Sequence, residues 1–486
     1  MSIWSVLGTL LVILEIGLRL LALGVIPGGR KPSTGMAWLL LILVEPIIGF
    51  CIFLLFGHQR IGRERFRRQK EAFRLTQEHT RLVSDAAAGN HDELLGTVVE
   101  LNHRLGALPL QEDNNIELIE DYESSLRAMA TDVAGAERFV HVEFYITAWD
   151  EMTHPLFQAL ADAAERGVSV RLLFDHLGSR GIPGYPAMIE KLEATKIEWR
   201  PMLPIQPFKG RFRRPDLRNH RKILVVDGTV AFTGSQNLTE PGYNKPKNHK
   251  LGRKWVELMV RAQGPAVAAL NAVFAADWLT ETGALPDIVE SHPAGPATGR
   301  QIGGVACQLV PSGPGIVKEN NLRMFTSLIY SAKRRISLTS PYFVPDESLL
   351  YAVTTAAERG IDVELFVSEL SDQFMVGHAQ ASYYRALLES GVRIYLYPAP
   401  YILHSKHFTI DDNAAVIGSS NMDQRSFALN YEASLMMLGE PIATAMREVE
   451  DHYRARSREL TIEEWSSRPV RKKYVDNVMR LTAGLQ

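Results

Sequence analysis

The strongest constraint on this chain is that it writes one short pattern twice. Asn219-His220-Arg221-Lys222-Ile223-Leu224-Val225-Val226-Asp227-Gly228 and Leu403-His404-Ser405-Lys406-His407-Phe408-Thr409-Ile410-Asp411-Asp412 both read H-x-K-x4-D. Gly234-Ser235 and Gly418-Ser419 follow at equal distance from their histidines, and Asn237 and Asn421 follow those. A single copy is ordinary, since a His-x-Lys pair is usually a solvated strand edge and an Asp-Gly is usually a turn. Two copies with equal internal spacing call for two equivalent units, each delivering one histidine and one lysine to a common chemistry.

The residue types suit a phosphodiester. Side chains two apart on an extended strand share a face, so His220 with Lys222, and His404 with Lys406, pair a nucleophile or acid with a phosphate-neutralising cation. Asp227-Gly228 and Asp411-Asp412-Asn413 have the composition of hairpin turns. Ser235, Asn237, Ser419 and Asn421 then lie beyond a returning strand, where hydroxyl and amide donors reach the same phosphate. A lysine between would-be ligands, and the lack of a carboxylate-histidine cluster at ligand spacing, argue against a metal site. No metal and no organic cofactor is expected.

A second duplication accompanies the first. Ala164-Glu165-Arg166-Gly167-Val168-Ser169-Val170 matches Ala357-Glu358-Arg359-Gly360-Ile361-Asp362-Val363, in each case a helix end, a glycine stop and a strand. From about Glu117 helical and apolar-strand patterns alternate, which is the α/β signature. The chain therefore divides into a hydrophobic hairpin (1–58), a basic connecting segment (59–110), a first α/β lobe (111–281), a linker rich in Pro, Gly, Ala and Ser (282–304), a homologous second lobe (305–460) and a basic amphipathic tail (461–486). At 486 residues and 46% hydrophobic content it can bury a large core. Its formal net charge of −2 leaves any attraction to anionic partners to local patches. Cys51 and Cys307 supply neither a disulfide framework nor a zinc set.

The amino-terminal runs Ile3 to Ile26 and Ala37 to Phe56 are each long enough to span a bilayer as a helix, and the turn-rich segment between them predicts an antiparallel transmembrane hairpin. Glu15 and Arg19, four apart, predict a pair within the first helix. A cleaved leader is disfavoured, because the first run lacks a basic start and a small-residue cleavage site. Arg60, Arg63, Arg65, Arg67, Arg68, Lys70 and Arg74 follow the second run, against Arg30 and Lys31 in the loop. The positive-inside rule places the remainder of the chain in the cytoplasm, with the basic segment at anionic headgroups. Arg211, Phe212, Arg213 and Arg214, basic residues mixed with an aromatic just before the first motif, suit a membrane surface, although nucleic acid could use the same chemistry. In the tail, Val470, Tyr474, Val478, Leu481 and Leu485 recur at helical spacing among basic residues, which fits an interfacial helix or an ordinary packing helix.

The two H-x-K-x4-D copies resemble those of the phospholipase D superfamily. More narrowly, Met36-Ala37-Trp38-Leu39-Leu40, Asp216 to Lys222, Ser312-Gly313-Pro314-Gly315, Ser340-Pro341-Tyr342-Phe343-Val344-Pro345 and Met422-Asp423-Gln424-Arg425-Ser426 resemble bacterial cardiolipin synthases. The resemblance implies two lobes meeting across a pseudo-twofold axis. One histidine, His220 by the lobe order of related enzymes, attacks phosphorus, while His404 serves as acid and base. Lys222, Lys406, Asn237 and Asn421 hold the phosphate oxygens with support from Ser235 and Ser419. Glu257 and Glu432, isolated acids in apolar strands, orient the histidines. Asp227 and Asp411 complete the family's catalytic motif, and their turn positions equally suit a structural role. The resemblance further implies phosphatidylglycerol as donor and acceptor in a bacterial inner membrane. Hydrolysis of phosphatidyl esters, a membrane-tethered nuclease and a non-catalytic membrane scaffold are the alternatives. The last is disfavoured by the presence of both histidines and both lysines, and the nuclease by the lack of a continuous basic groove with stacking aromatics.

Overall fold

A computed structural model describes residues 3–28, 32–57, 65–72, 74, 93–205, 215–286, 300–316 and 319–483. The chain forms two compact units, 1–61 and 62–486.

In the first unit the helix Ile3–Val25 is followed by Pro32–Val44 and Pro46–Phe56. Its 23 residues extend roughly 35 Å, enough for a bilayer core. Arg19 pairs with Glu15 at 3.4 Å, as their spacing predicts, and its Nε donates to Leu43 O at 3.2 Å. The second apolar run is not one continuous helix. It breaks at Glu45, because Pro46 has no N–H to donate and its ring cannot follow a preceding helical turn. Among the described residues, Ile3–Val25 is the one helix both long and apolar enough to cross a membrane. Ala22, Ile26, Leu39, Ile42 and Phe53 form the small interior that joins the helices.

The second unit is built on a 15-stranded mixed sheet. The first lobe supplies β1 Gln111–Ile119, β2 Phe139–Phe144, β3 Ser169–Asp175, β4 Glu198–Met202, β5 Lys222–Val226, β6 Val230–Gly234, β7 Lys254–Val256 and β8 Met259–Gln263. The second supplies β9 Ile302–Ser312, β10 Arg335–Thr339, β11 Phe343–Val344, β12 Asp362–Ser368, β13 Arg393–Tyr397, β14 Tyr401–Leu403, β15 His407–Ile410, β16 Ala414–Gly418, β17 Met422–Asp423, β18 Glu432–Leu438 and β19 Arg458–Leu460. The sheet order is β19-β13-β12-β10-β15-β16-β18-β9-β1-β8-β6-β5-β2-β3-β4. Read outward from the central β9–β1 pair, it is the same sequence of equivalent strands in both directions, with β19 added at one edge. The duplication in the sequence is thus a pseudo-twofold axis in the sheet.

Local signals explain the repeat. Gly167 and Gly360 take positive φ of 92° and 83°, ending their helices before β3 and β12. The arginines beside them do the same work twice: Arg166 donates to Ala134 O and Ala136 O, and Arg359 to Tyr330 O and Ala332 O. Gly234 and Gly418 are glycines because a Cβ there would lie 2.4 Å from Leu258 O and 2.2 Å from Ala433 O on the neighbouring strand. The helix Ala266–Thr282 packs Val267, Leu270 and Val273 into one core with Leu309 of β9, Leu435 of β18 and the buried Cys307, so the lobes share their interior.

One segment departs from expectation, and the tail shows the packing that is one of its two expected readings. Arg65, expected at the lipid headgroups, is buried in this unit, paired with Glu281 at 2.5 Å and lying 5.8 Å from the Tyr431 ring centre. A carboxylate and an aromatic face compensate its desolvation. The tail helix Val470–Arg480 packs through buried Asp476, which bonds His378 Nδ1 at 2.7 Å, while Val470, Tyr474 and Leu481 stay exposed.

Candidate active site

Each motif histidine lies just before its strand rather than within it, on a segment that reaches into the other lobe. His220 N donates to Tyr431 O and His404 N donates to Val256 O, both at 2.8 Å. Asn219 bridges Tyr431, and β14 pairs in parallel with β7, Leu403 opposite Val256. The residue after each of these partners is a glutamate, so the glutamates are crossed. His220 of the first lobe has its Nδ1 3.0 Å from Glu432 Oε2 of the second, and His404 Nδ1 lies 2.7 Å from Glu257 Oε1 of the first. Neither lobe can complete its own histidine.

A carboxylate at Nδ1 makes that nitrogen the donor and leaves the Nε2 lone pair for chemistry. Beneath each ring a lysine folds back on its own histidine: Lys222 Nζ donates to His220 O at 2.6 Å, and Lys406 Nζ to His404 O at 2.5 Å. Tyr145 packs edge-on to His220 with ring centres 4.9 Å apart, and Tyr342 to His404 at 6.4 Å.

Burial governs the charges. Both histidines are pushed down to about 4 by desolvation, with the two lysines acting in the same direction against the pull of the glutamates. Desolvation, with Lys406 beside it, lowers Lys222 to about 7, and desolvation lowers Lys406 to about 8. Burial opposes ionisation of Glu257 and Glu432, yet the hydrogen bonds from the histidines and the lysine charges hold both carboxyls below the usual range. Two ammonium groups face two carboxylates, and an added phosphodiester monoanion would favour protonation of one imidazole. Among the described residues there is no group of acidic, histidine and cysteine side chains with the arrangement of a metal site.

The other sequence-predicted residues divide by position. Asp227 accepts from the amides of Glu137, Arg138 and Phe139, each at 2.8 Å, and Asp411 from those of Lys333, Arg334 and Arg335 at 2.8 to 2.9 Å. Both stand at the far end of β5 and β15 from the histidines and carry φ of 53° and 48°. They are turn residues that tie adjacent strands, and the catalytic grouping does not extend to them. Ser235 Oγ is committed to Leu258, donating to its O at 3.2 Å and accepting from its N at 3.0 Å. Ser419 Oγ donates to Glu432 Oε2 at 2.5 Å and accepts from Ala433 N at 3.0 Å. The serines therefore support the glutamates and their strands. Asn237 is engaged with Tyr243 OH and Ile146 N, whereas Asn421 Oδ1 is buried without a partner among the described residues. Arg211, Phe212, Arg213 and Arg214 lie outside the described residues.

Sequence reasoning missed Tyr145, Tyr342 and Arg221. Arg221 is buried, with Nε donating to Glu432 O at 3.0 Å and its guanidinium paired with Asp277, so it fixes the strand that presents Glu432. Its signal was an arginine at the variable position of the first motif, where the second has Ser405.

Comparison with known proteins agrees with this geometry. A family model described as cardiolipin synthase, PLD-like domain, matches residues 131–278 and 325–454. Cardiolipin synthase A of Yersinia pseudotuberculosis is 33% identical over 475 residues, spanning 96% of this chain and 94% of the relative. Cardiolipin synthase A of Proteus mirabilis is 31% identical over 460 residues, 92% of each chain. The crystal structure of phosphatidylserine synthase from Haemophilus influenzae shares the fold, with a TM-score of 0.58 at 14% identity, covering 81% of this chain and 98% of that one.

Proposed function

We propose that this chain, which belongs to the cardiolipin synthase family of phospholipase D-like proteins, transfers a phosphatidyl group between two phosphatidylglycerol molecules, giving cardiolipin and glycerol. The observation that carries the reading is the crossed pair of His–Glu contacts over two buried lysines. In the first half-reaction His220 Nε2 attacks phosphorus, the bond to the headgroup glycerol breaks, and the departing oxygen takes the proton from His404 Nε2. In the second, the hydroxyl of another phosphatidylglycerol returns a proton to His404, its oxygen bonds phosphorus, and the phosphorus–nitrogen bond to His220 breaks. Lys222 and Lys406, with Asn421, stabilise the non-bridging oxygens as charge develops on them. One phosphodiester replaces another, so the free-energy change is small and excess glycerol should regenerate phosphatidylglycerol from cardiolipin.

A bilayer setting agrees with the helix Ile3–Val25. The seven basic residues between Arg60 and Arg74, against Arg30 and Lys31 in the preceding loop, favour lobes on the cytoplasmic side of the inner membrane with both apolar runs inserted. Arg211, Phe212, Arg213 and Arg214 would then meet anionic headgroups.

The test is to supply purified protein in detergent with phosphatidylglycerol alone and identify products by mass spectrometry. Cardiolipin with matching glycerol, absent from His220→Ala and His404→Ala, is the expected result. Phosphatidic acid in its place would assign a hydrolase.

A further inference from the structure

The lobes differ in length immediately beside the site. Glu257 follows Asn237 by 20 positions, and Glu432 follows Asn421 by 11. The longer segment contains the short helix Pro246–Lys250 and β7, and it carries Lys245, Lys247, Lys250, Arg253 and Lys254; its counterpart 422–431 carries Arg425 alone. The added turn is firmly built. Tyr243 accepts from Asn237 Nδ2 at 2.9 Å and packs against Trp255 at 4.8 Å, and Asn248 Nδ2 donates to Gly242 O at 2.9 Å.

Strand pairing places this turn on the His404 side, where Lys254 is opposite Tyr401 and Val256 opposite Leu403, the residue before the histidine. Asp372 marks the route inward. Its carboxyl accepts from Tyr342 OH at 2.9 Å, and Tyr342 in turn packs on His404. Lys406 lies within electrostatic reach of Asp372, and Asp372 within reach of Lys245 and Arg253, so charge on this turn is felt along the line from the surface to the buried lysine. Arg253 is half-buried, with an Nε that is buried and has no hydrogen-bond partner among the described residues. The other nearby carboxylate, Glu240, is occupied by the amides of Gly242 and Asn244 and by His249. On the His220 side the corresponding Arg425 is tied to Asn430 Oδ1 and Asp216 O.

Asp372 is committed to Tyr342, so the buried Arg253 Nε–H, unpartnered among the described residues, has room for a further anionic acceptor. The acceptor lipid brings one. Its attacking hydroxyl must reach His404, and its own phosphate hangs from the other end of the same glycerol, on the order of 6 Å away. Resting on the phosphatidyl-transfer reading, we infer that Arg253 and Lys245 form the subsite for the phosphate of the acceptor phospholipid. The donor phosphate lies between Lys222 and Lys406, and cardiolipin leaves with one phosphate at each position. The first lobe's insertion thus makes a symmetric fold bind two lipids unequally.

The test lets two acceptors compete for one covalent intermediate. Full-length protein in neutral detergent receives phosphatidylglycerol and ethanol, and cardiolipin and phosphatidylethanol are measured together. In the double variant Lys245→Gln/Arg253→Gln the ratio of cardiolipin to phosphatidylethanol falls about ten-fold or more, and Arg253→Lys recovers part of it. Lys247→Gln/Lys250→Gln removes equal charge from the same turn and leaves the ratio within about two-fold. An unchanged ratio in the first double variant overturns the subsite. An equal fall in both overturns it too, since diffuse attraction to anionic micelles would then be the cause. Wild-type protein that makes phosphatidylethanol and phosphatidic acid without cardiolipin overturns the reading of phosphatidylglycerol as acceptor, on which the subsite rests.

Discussion

His220 and His404 occupy equivalent places in their lobes, yet the groups around their Nδ1 atoms differ. His220 Nδ1 faces both Glu432 Oε2 at 3.0 Å and Ser419 O at 2.8 Å, and Glu432 is itself fixed by Ser419 Oγ, by Asn430 Nδ2 and through Arg221. His404 Nδ1 faces Glu257 Oε1 at 2.7 Å with Lys406 Nζ at 3.1 Å, and Glu257 Oε2 is buried without a hydrogen-bond partner at bonding distance among the described residues, with Ser235 beside it. A ring that forms a covalent bond to phosphorus gains from being locked in one tautomer and one position. A ring that gives and takes protons gains from a looser mount. The contrast supports His220 as nucleophile and His404 as acid and base.

The comparison can be broken at the glutamates first. Glu432→Gln should lower kcat by roughly a thousand-fold and Glu257→Gln by roughly thirty-fold, measured as cardiolipin formation by protein of verified fold. Equal losses would remove the distinction between the halves. A smaller effect comes from pH. Lys222 is pushed down to about 7 and Lys406 to about 8. Each loses its charge as pH rises through its own value, so kcat/KM should decline by several hundred-fold, about 500-fold if both charges are needed, from pH 7 to 9, Lys222 titrating first. His220, pushed down to about 4, keeps its attacking lone pair down to near that pH, while His404, equally low in the free enzyme, takes up its proton as the anionic phosphodiester binds. The smallest effect on turnover belongs to the turn aspartates. Asp227→Ala or Asp411→Ala removes an acceptor of three amide hydrogen bonds and should cost about 2 kcal/mol in urea unfolding, with kcat per folded molecule within about three-fold.

Much of this arrangement was legible because the chain repeats itself. Equal spacing from histidine to Gly-Ser-x-Asn fixed two hairpins of one design, and the Ala-Glu-Arg-Gly pair located equivalent helix ends. Glu257 and Glu432 were also visible as lone acids in apolar strands. Their crossing was not, because which strand reaches across an interface is decided by pairing between residues far apart in sequence, as in β14 with β7. Local composition misled at Arg65, whose cluster of basic neighbours suggested lipid headgroups while Glu281 and Tyr431 drew it inward. Pro46, with no N–H to donate, signals the helix break in the second apolar run, which length and composition alone do not show. The unequal lengths after Asn237 and Asn421 were present in the sequence too, but they gained meaning once β7 placed the difference beside His404.

The division of labour between the two histidines is tested most directly by trapping the intermediate. A phosphodiester donor with a nitrophenolate leaving group needs no acid for its first step. With that donor and an alkaline quench, His404→Ala should accumulate a phosphoryl adduct on the peptide containing His220, and His220→Ala should accumulate none. An adduct on His404 in the His220→Ala protein, with none in its counterpart, would contradict the assignment and reverse the roles of the two lobes.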